Sequence, residues 1–579
     1  MNGRGGVITF FIFLFIFFII LLQVLSMLQS DRFYDGLNRL DEISQSTGAM
    51  QGFSRESESR SVLNEESIGD EGDWLVWGLT DEPGKLNPIT RRVISSDWIV
   101  WRNVFEGLLD YDYNTLEFKP MLAESYEVSE DGLEYTFRLR DDVHFSDGVP
   151  ITADDVIFTY ETINNPGVDA AQLANYYRDV AEVIRIDDRT VKFVMKQPYF
   201  KALEFLCFQD VGIIPKHKYS FSDPAEFNRR YSEPFGSGPY VFEKWDVGRE
   251  VVLRRNENYW GRKPKLRKIV FRFITNDIAA VQALKAGEID FLEPLPDQFA
   301  ELSKDEDFKE RFNCISYFTP KSPYFYVGWN MNFPLFKDRR IRLAMTYIID
   351  RERIIKYLLK DQAKITTGPF YIYGKQNDPN IAPWPFDPQM AEKLLEEAGW
   401  IDRDGDGVRD KDGVPFRFKL MIRSGDPYYE QLAKFIKDEA IKIGVDVIPE
   451  PFEWSIFIER LLDREFEAEI SGWGGVVEED PYQVWHSSQG TGRGSNHVGF
   501  SNAEADALIE QARRTFDETE RNKLYRRFHD IVHYEQPYTF LYARPEMRFL
   551  DKRFQNVKIH NLDLDLLEWY VPKEEQRYK

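Results

Sequence analysis

Two histidines four residues apart, His529 and His533, are the first residues of this 579-residue chain to suggest chemistry. In "HDIVH" they would share one face of a helix. That is the spacing of a zinc-peptidase helix, with Asp530 where such a helix carries its glutamate base. A zinc site needs a third protein ligand, and nothing in the chain identifies one. The stripe Leu524, Phe528, Ile531 accounts for the helix without metal. No G-x-S-x-G elbow, phosphate-binding loop or dinucleotide fingerprint occurs. With 97 acidic residues, carboxylate pairs select nothing. The chain is therefore expected not to be an enzyme.

A second pattern is "DRDGDGVRD", residues 402–410. Asp402, Asp404 and Asp406 alternate, Gly407 permits a sharp turn, Val408 offers a carbonyl, and Asp410 follows. This follows most of a calcium loop, but Gly413 stands at the twelfth place, where the bidentate glutamate belongs. The next segment, "VPFRFKLMI", reads as a strand rather than a helix. One structural calcium on Asp402, Asp404, Asp406 and Asp410 is the metal candidate; the alternative is an Asp-Gly turn entering that strand. No other cofactor is expected.

The third pattern is "SGWGGVVEEDP", residues 471–481. Trp473 sits among glycines, which let another backbone approach closely. Trp454 precedes it by one helix and one strand, so both rings are expected at the same end of a lobe. Bare N–H and C=O groups at Gly472 and Gly474 suit an extended ligand added as a strand. Asp480 and Pro481 can cap and start a helix over "YQVWHSS", which carries Trp485 and His486.

The elements that position these residues alternate. "DWLVWGL" from residue 73, "EYTFRLR" from 134 and "TVKFVMK" from 190 read as strands, and "GPYVFEKWDVGREVVLRRN" reads as a hairpin turning at Asp246–Gly248. Asp338, Asp387 and Asp517 each stand ahead of an apolar stripe as helix caps. Mixed sheets in at least two lobes follow. The length exceeds one core. Net charge is −23, which excludes nucleic acid as a partner. Cys207 and Cys314 form no CxxC; two free thiols are expected, with a disulfide as the alternative.

Residues 7–28, "VITFFIFLFIFFIILLQVLSML", would span roughly 33 Å as a helix. The run is longer than a signal-peptide core and lacks a small-x-small cleavage site. An uncleaved transmembrane anchor is expected, with residues 1–6 cytoplasmic and a Ser/Glu/Gly-rich stalk over 29–72. The bulk is then periplasmic or outside the cell.

Many stretches resemble the extracellular solute-binding proteins of family 5, the peptide/nickel-binding group of ABC importers. They include "VFEGLLDYD" from 104, "GSGPYVFEKWDVGREVVLRRNENYWG" from 236, "ALKAGEIDF" from 283, "DRRIRLAMTYIIDRERI" from 338 and "RNKLYRRFHDIVHYEQPYTFLY" from 521. The resemblance runs from about 73 to about 570. It implies an α/β, two-lobed periplasmic-binding-protein fold of the class II-like, large peptide-binding type, with mixed sheets and a hinge. Lobe I would hold 73–315 joined by 544–579, and lobe II 316–543. It also implies that ligand backbone pairs with Gly472, Trp473 and Gly474, with Trp454 and Trp473 lining pockets. Relatives that bind peptides carry an aspartate three residues after this tryptophan. Val476 stands there instead, so Glu478, Glu479 or Asp480 must supply the charge for a peptide amine. Trp485 and His486 complete the candidate set, with core packing as the alternative for both.

The function implied is a monomeric, membrane-anchored binding protein that delivers oligopeptides or dipeptides to permease subunits. The alternatives are a non-peptide ligand, either oligosaccharide or metal chelate, and a tethered sensor. A metallopeptidase on His529 and His533 is disfavoured.

Overall fold

In the computed structural model, residues 69–91, 94–230, 232–492 and 494–578 are described. The apolar run 7–28, and the expected stalk up to residue 68, lie outside them. Among the described residues no helix is long and apolar enough to cross a membrane. The last part of the expected stalk is already fastened to the fold. Gly72 N donates to Lys265 O at 3.0 Å, and Asp70 accepts from Lys573 N at 3.0 Å.

The chain divides into two compact units, residues 69–317 with 547–578, and Phe318–Glu546. The first is built on a seven-stranded sheet. Its order is Phe312–Tyr317, Glu546–Asp551, Phe291–Leu292, Trp74–Leu79, Lys268–Phe273, Glu250–Arg255 and Tyr240–Asp246. Trp74–Leu79 runs parallel to both of its neighbours, while Lys268–Phe273 with Glu250–Arg255, Glu250–Arg255 with Tyr240–Asp246, and Phe291–Leu292 with Glu546–Asp551 pair antiparallel, so the sheet is mixed. The hairpin between Tyr240–Asp246 and Glu250–Arg255 turns at Gly248, whose φ of +73° suits a residue without Cβ. A four-stranded antiparallel sheet carries Glu134–Leu139 and Thr190–Met195, whose alternation packs one face inward.

In that unit a buried cluster ties the chain's end to its first strand. Arg553 bridges Asp73 and Asp290, and Arg577 bridges Asp290 and Asp551. Cys207 is buried, Cys314 is half-buried, and both are free thiols. Burial pushes both thiols up.

The second unit is built on a six-stranded sheet. Its order is Lys364–Ile365, Tyr538–Ala543, Tyr324–Trp329, Ala468–Trp473, Arg417–Arg423 and Asp446–Phe452. Helices start where aspartates cap them. Asp338 accepts from Arg340 N ahead of Arg339–Tyr347, and Asp387 from Met390 N ahead of Pro388–Glu397. Asp517 accepts from Glu520 N ahead of Glu518–Glu535. The helix Trp454–Asp463 joins the strand Asp446–Phe452 to Ala468–Trp473, as the sequence spacing requires.

Candidate ligand-binding site

Three strands of the second unit, Arg417–Arg423, Asp446–Phe452 and Ala468–Trp473, run parallel and end at one edge of their sheet. The carboxyl edge of parallel strands is where α/β sheets take ligands. Trp454 and Trp473 both stand at this edge. Trp454 follows Phe452 by two residues and opens its helix half-buried, with its ring stacked on Phe457 at 5.4 Å. The guanidinium of Arg423, last residue of its strand, lies 5.2 Å from the Trp454 ring centroid. Sequence reasoning passed over Arg423. Its register opposite Phe452, two residues before a tryptophan, depends on a strand pairing that no local pattern displays.

Trp473 closes its strand opposite Tyr324. It is buried, lies parallel to the His497 ring with centroids 6.3 Å apart, and donates from Nε1 to Tyr538 Oη at 3.4 Å. On its other side the strand is joined to Arg417–Arg423 through Ala468 and Glu469 only. Among the described residues, Ile470–Trp473 thus have a ladder partner on one side alone. An open flank of this kind accepts an added strand.

The neighbouring glycines answer first to the chain's own packing. A Cβ on Gly472 would stand 2.8 Å from Tyr324 O, and one on Gly475 would stand 2.1 Å from Pro320 O. Gly475 N donates to Lys321 O at 3.2 Å. Gly474 is buried between them. The expected bare backbone is therefore partly used, because residues 320–322 press against it.

The three acids of the loop fare differently. Glu478 pairs with Arg521 Nε at 2.6 Å. Asp480 pairs with Arg513 Nε at 2.9 Å and accepts from Tyr482 N at 3.1 Å. Glu479 is held by its backbone. Its N–H donates to Gln376 Oε1 and its carbonyl accepts from Gln376 Nε2, both at 2.8 Å. Of the three, Glu479 lines a recess with Pro320, Ser322, Tyr324, Tyr371 and Val476. Gln376, far away in sequence, carried no signal of this role.

Trp485 faces the core and not the candidate site. It is 1% exposed, packed among Phe500, Phe528, Tyr538 and Phe540, so it belongs to the core of this unit. Its short helix, Tyr482–Trp485, turns the ring inward. His486 is likewise built in. It stacks on Tyr482 at 4.5 Å, its Nδ1 lies 2.8 Å from Ser488 Oγ, and its Nε2 lies 3.4 Å from Glu510.

His529 and His533 lie buried on the helix Glu518–Glu535 and serve as struts. His529 Nδ1 accepts from Asp378 N and its Nε2 meets Thr367 Oγ1, both at 3.1 Å. His533 Nδ1 meets Thr367 O at 3.1 Å, and its ring stacks on Trp384. Burial pushes His529 down to about 4.

At the acidic turn, Asp402, Asp404 and Asp406 place carboxylate oxygens within 4.8 Å of one another, all exposed. These three can hold one hard cation. Asp410 leaves the set, because Arg403 takes it through Nη1 at 2.9 Å and its own N–H at 3.0 Å. The carboxylates also accept the loop's N–H groups, from Gly405, Asp406, Gly407 and Val408, as an Asp-Gly turn does.

Two α/β units on mixed sheets, with aromatic rings and an open strand flank at a carboxyl edge, define a binding protein. Residues 117–495 match the bacterial extracellular solute-binding proteins, family 5, and the chain belongs to that family. Members of this family are binding proteins, not enzymes. The chain is 31% identical over 519 residues to the oligopeptide-binding protein AppA of Bacillus subtilis, covering 87% of this chain and 92% of that one. The solved structure of AppA with a nonapeptide superposes with a TM-score of 0.72 at 30% identity, over 87% of this chain and all (100%) of that one. NikZ of Campylobacter jejuni, solved with Ni(L-His), gives a TM-score of 0.73 at 28% identity, over 86% and 99%. Of these two similar structures, one was solved with a peptide and the other with a nickel chelate.

Proposed function

We propose that this chain is the substrate-binding protein of an ABC importer, that its cargo is oligopeptide, and that it hands that cargo to permease subunits. The observation that carries the reading is the strand Ala468–Trp473, open on one flank and ending in a tryptophan at a carboxyl edge. A strand with one free flank pairs with any extended backbone and so tolerates many side chains. Its likeness over most of its length to a protein solved with a nonapeptide supports the same cargo.

In this reading Trp473 and Trp454 are walls of side-chain pockets. Glu479, beside Val476 in the recess, is the counter-ion for the peptide's ammonium. Glu478 and Asp480 are each engaged by an arginine and shape the loop. The run 7–28 anchors the protein as a monomer, with the folded part on the outer side of the cytoplasmic membrane.

A second reading rests on Val476, which removes the aspartate expected of peptide binders, and on the nickel-chelate binder among the similar structures. There the ligand is a metal chelate or another small anion held by Arg423. Native mass spectrometry of the full chain, followed by denaturation to release cargo, separates the two. A ladder of peptide masses supports the first reading, and a single non-peptide mass defeats it. Glu479→Ala should then lower peptide affinity about 10- to 100-fold.

A further inference from the structure

Glu469 sits four residues before Trp473 on the same strand and is fully buried. Strand parity puts Glu469, Ser471 and Trp473 on one face. The register sets Gly328 opposite Glu469, Tyr326 opposite Ser471 and Tyr324 opposite Trp473. Gly328 makes room for the carboxyl, since a Cβ there would stand 2.6 Å from Glu469 Oε1. On the far side Gly328 pairs with Tyr538. The Tyr538 ring lies flat on Tyr326, with centroids 3.6 Å apart and planes 6° from parallel, and its hydroxyl accepts the Trp473 indole N–H at 3.4 Å.

Polar atoms thus run from a buried carboxyl, past two phenols, to the tryptophan that ends the strand. Among the described residues, neither Glu469 oxygen has a donor in hydrogen-bonding geometry, and Tyr326 is the one group close enough to favour the ionised form. Burial outweighs it and pushes the carboxyl up to about 8. The other titratable groups around Glu469 are also phenols, Tyr538 and Tyr429. His497, stacked on Trp473, is pushed down to about 3 by burial and by Arg464, so it stays neutral above that range.

A buried carboxyl with a single phenol nearby stays protonated through neutral pH, because the ionised form has lost its water and one hydroxyl cannot replace it. Protonated, Glu469 can donate to Tyr326 Oη, leaving the Tyr326 proton for Tyr538 and the Tyr538 lone pairs for the indole. Ionised, Glu469 draws the Tyr326 proton to itself, and Tyr538 loses that donor.

We propose that Glu469 is a positioning residue of the ligand groove: its neutral carboxyl fixes the Trp473 indole through Tyr326 and Tyr538, and its ionisation loosens the groove so that ligand is held in acid and released in base. This rests on the reading that Trp473 borders the ligand.

The test uses the full chain labelled with 5-fluorotryptophan, followed by fluorine NMR between pH 6 and 9.5, with Trp473→Phe to assign the resonance. The Trp473 line should move with a midpoint near 8 in wild type. It should stay at its acid position in Glu469→Gln and stop following pH in Tyr326→Phe. A wild-type line that does not move, or one that moves equally in both variants, overturns the proposal. Should Glu469→Gln fail to fold, Tyr326→Phe alone decides.

A synthetic nonapeptide, titrated calorimetrically, gives the functional arm. The peptide's own amine loses its proton from pH 6.5 to pH 9, which weakens binding in both proteins; beyond that shared change, Kd should rise about tenfold more in wild type than in Glu469→Gln over this range. The same rise in wild type and in Glu469→Gln overturns the proposal. If the nonapeptide binds at no pH while the Trp473 line titrates, the peptide reading fails and the relay stands.

Discussion

Each unit buries a glutamate, and the two are solvated in opposite ways. Glu106 in the first unit accepts from Tyr259 Oη at 2.6 Å, Ser237 Oγ at 2.7 Å and Trp260 Nε1 at 3.0 Å. Glu469 in the second unit has, among the described residues, no donor in hydrogen-bonding geometry. Burial raises both, Glu106 to about 7 against the pull of its three donors, and Glu469 to about 8 with only Tyr326 favouring ionisation. The same side chain is a knot in one place and a loaded group in the other, and the number of fixed donors makes the difference. Glu106 ties together three segments, those of "VFEGL", "GSGPY" and "NYWG", all of which carry the family resemblance.

The sharpest way to break this contrast is Glu106→Ala. It strands three buried donors and leaves a void, so a loss of roughly 4–6 kcal/mol is expected from urea unfolding of the full chain. Glu106→Gln keeps an acceptor but turns an amide N–H₂ toward donors, and should cost about half as much. A Glu106→Ala variant as stable as wild type would show that the knot carries no weight.

Glu469→Gln should act through pH rather than at one pH. In the fold this carboxyl binds its proton more tightly than in the unfolded chain, where it titrates near 4.5. The native state therefore holds more protons between those values, and stability falls as pH rises from about 4.5 through about 8. The slope from this one group should sum to roughly 2–4 kcal/mol between pH 5 and pH 9 and vanish in Glu469→Gln. Parallel stability curves for the two proteins would exclude the raised carboxyl. The histidines act at the other limb. His529 and His497, depressed to about 4 and about 3, keep the fold stable above the unfolded value near 6.5 and weaken it as pH drops below that.

Gly475→Ala has a smaller effect. Its Cβ would meet Pro320 O at 2.1 Å, and backbone must shift. A cost of about 1–3 kcal/mol is expected by thermal unfolding, with peptide affinity reduced because the shift displaces one wall of the recess at Val476 and Glu479. Smallest is the acidic turn, where Asp402, Asp404 and Asp406 are exposed. Chelation with EDTA should move Tm by less than about 2 °C; a larger fall would give that turn a structural ion.

The sequence by itself carried the strands and the caps. Glu134–Leu139 alternates because one face is buried, and Asp338, Asp387 and Asp517 mark helix starts because a cap needs only its own next two or three residues. The glycine–tryptophan strand and the placing of Trp454 at the same sheet edge were legible for the same reason, since a helix runs back from that edge and a strand returns to it. What the neighbours do was not legible. The strand Ala468–Trp473 is buried on both faces, so it shows no alternation that would set Glu469 apart. Trp485 turned into the core, Arg521 and Arg513 claimed Glu478 and Asp480, and Gln376 took the backbone of Glu479. Each of those outcomes pairs groups distant along the chain. Only the tertiary structure brings them within hydrogen-bonding reach, and burial then decides which charges survive.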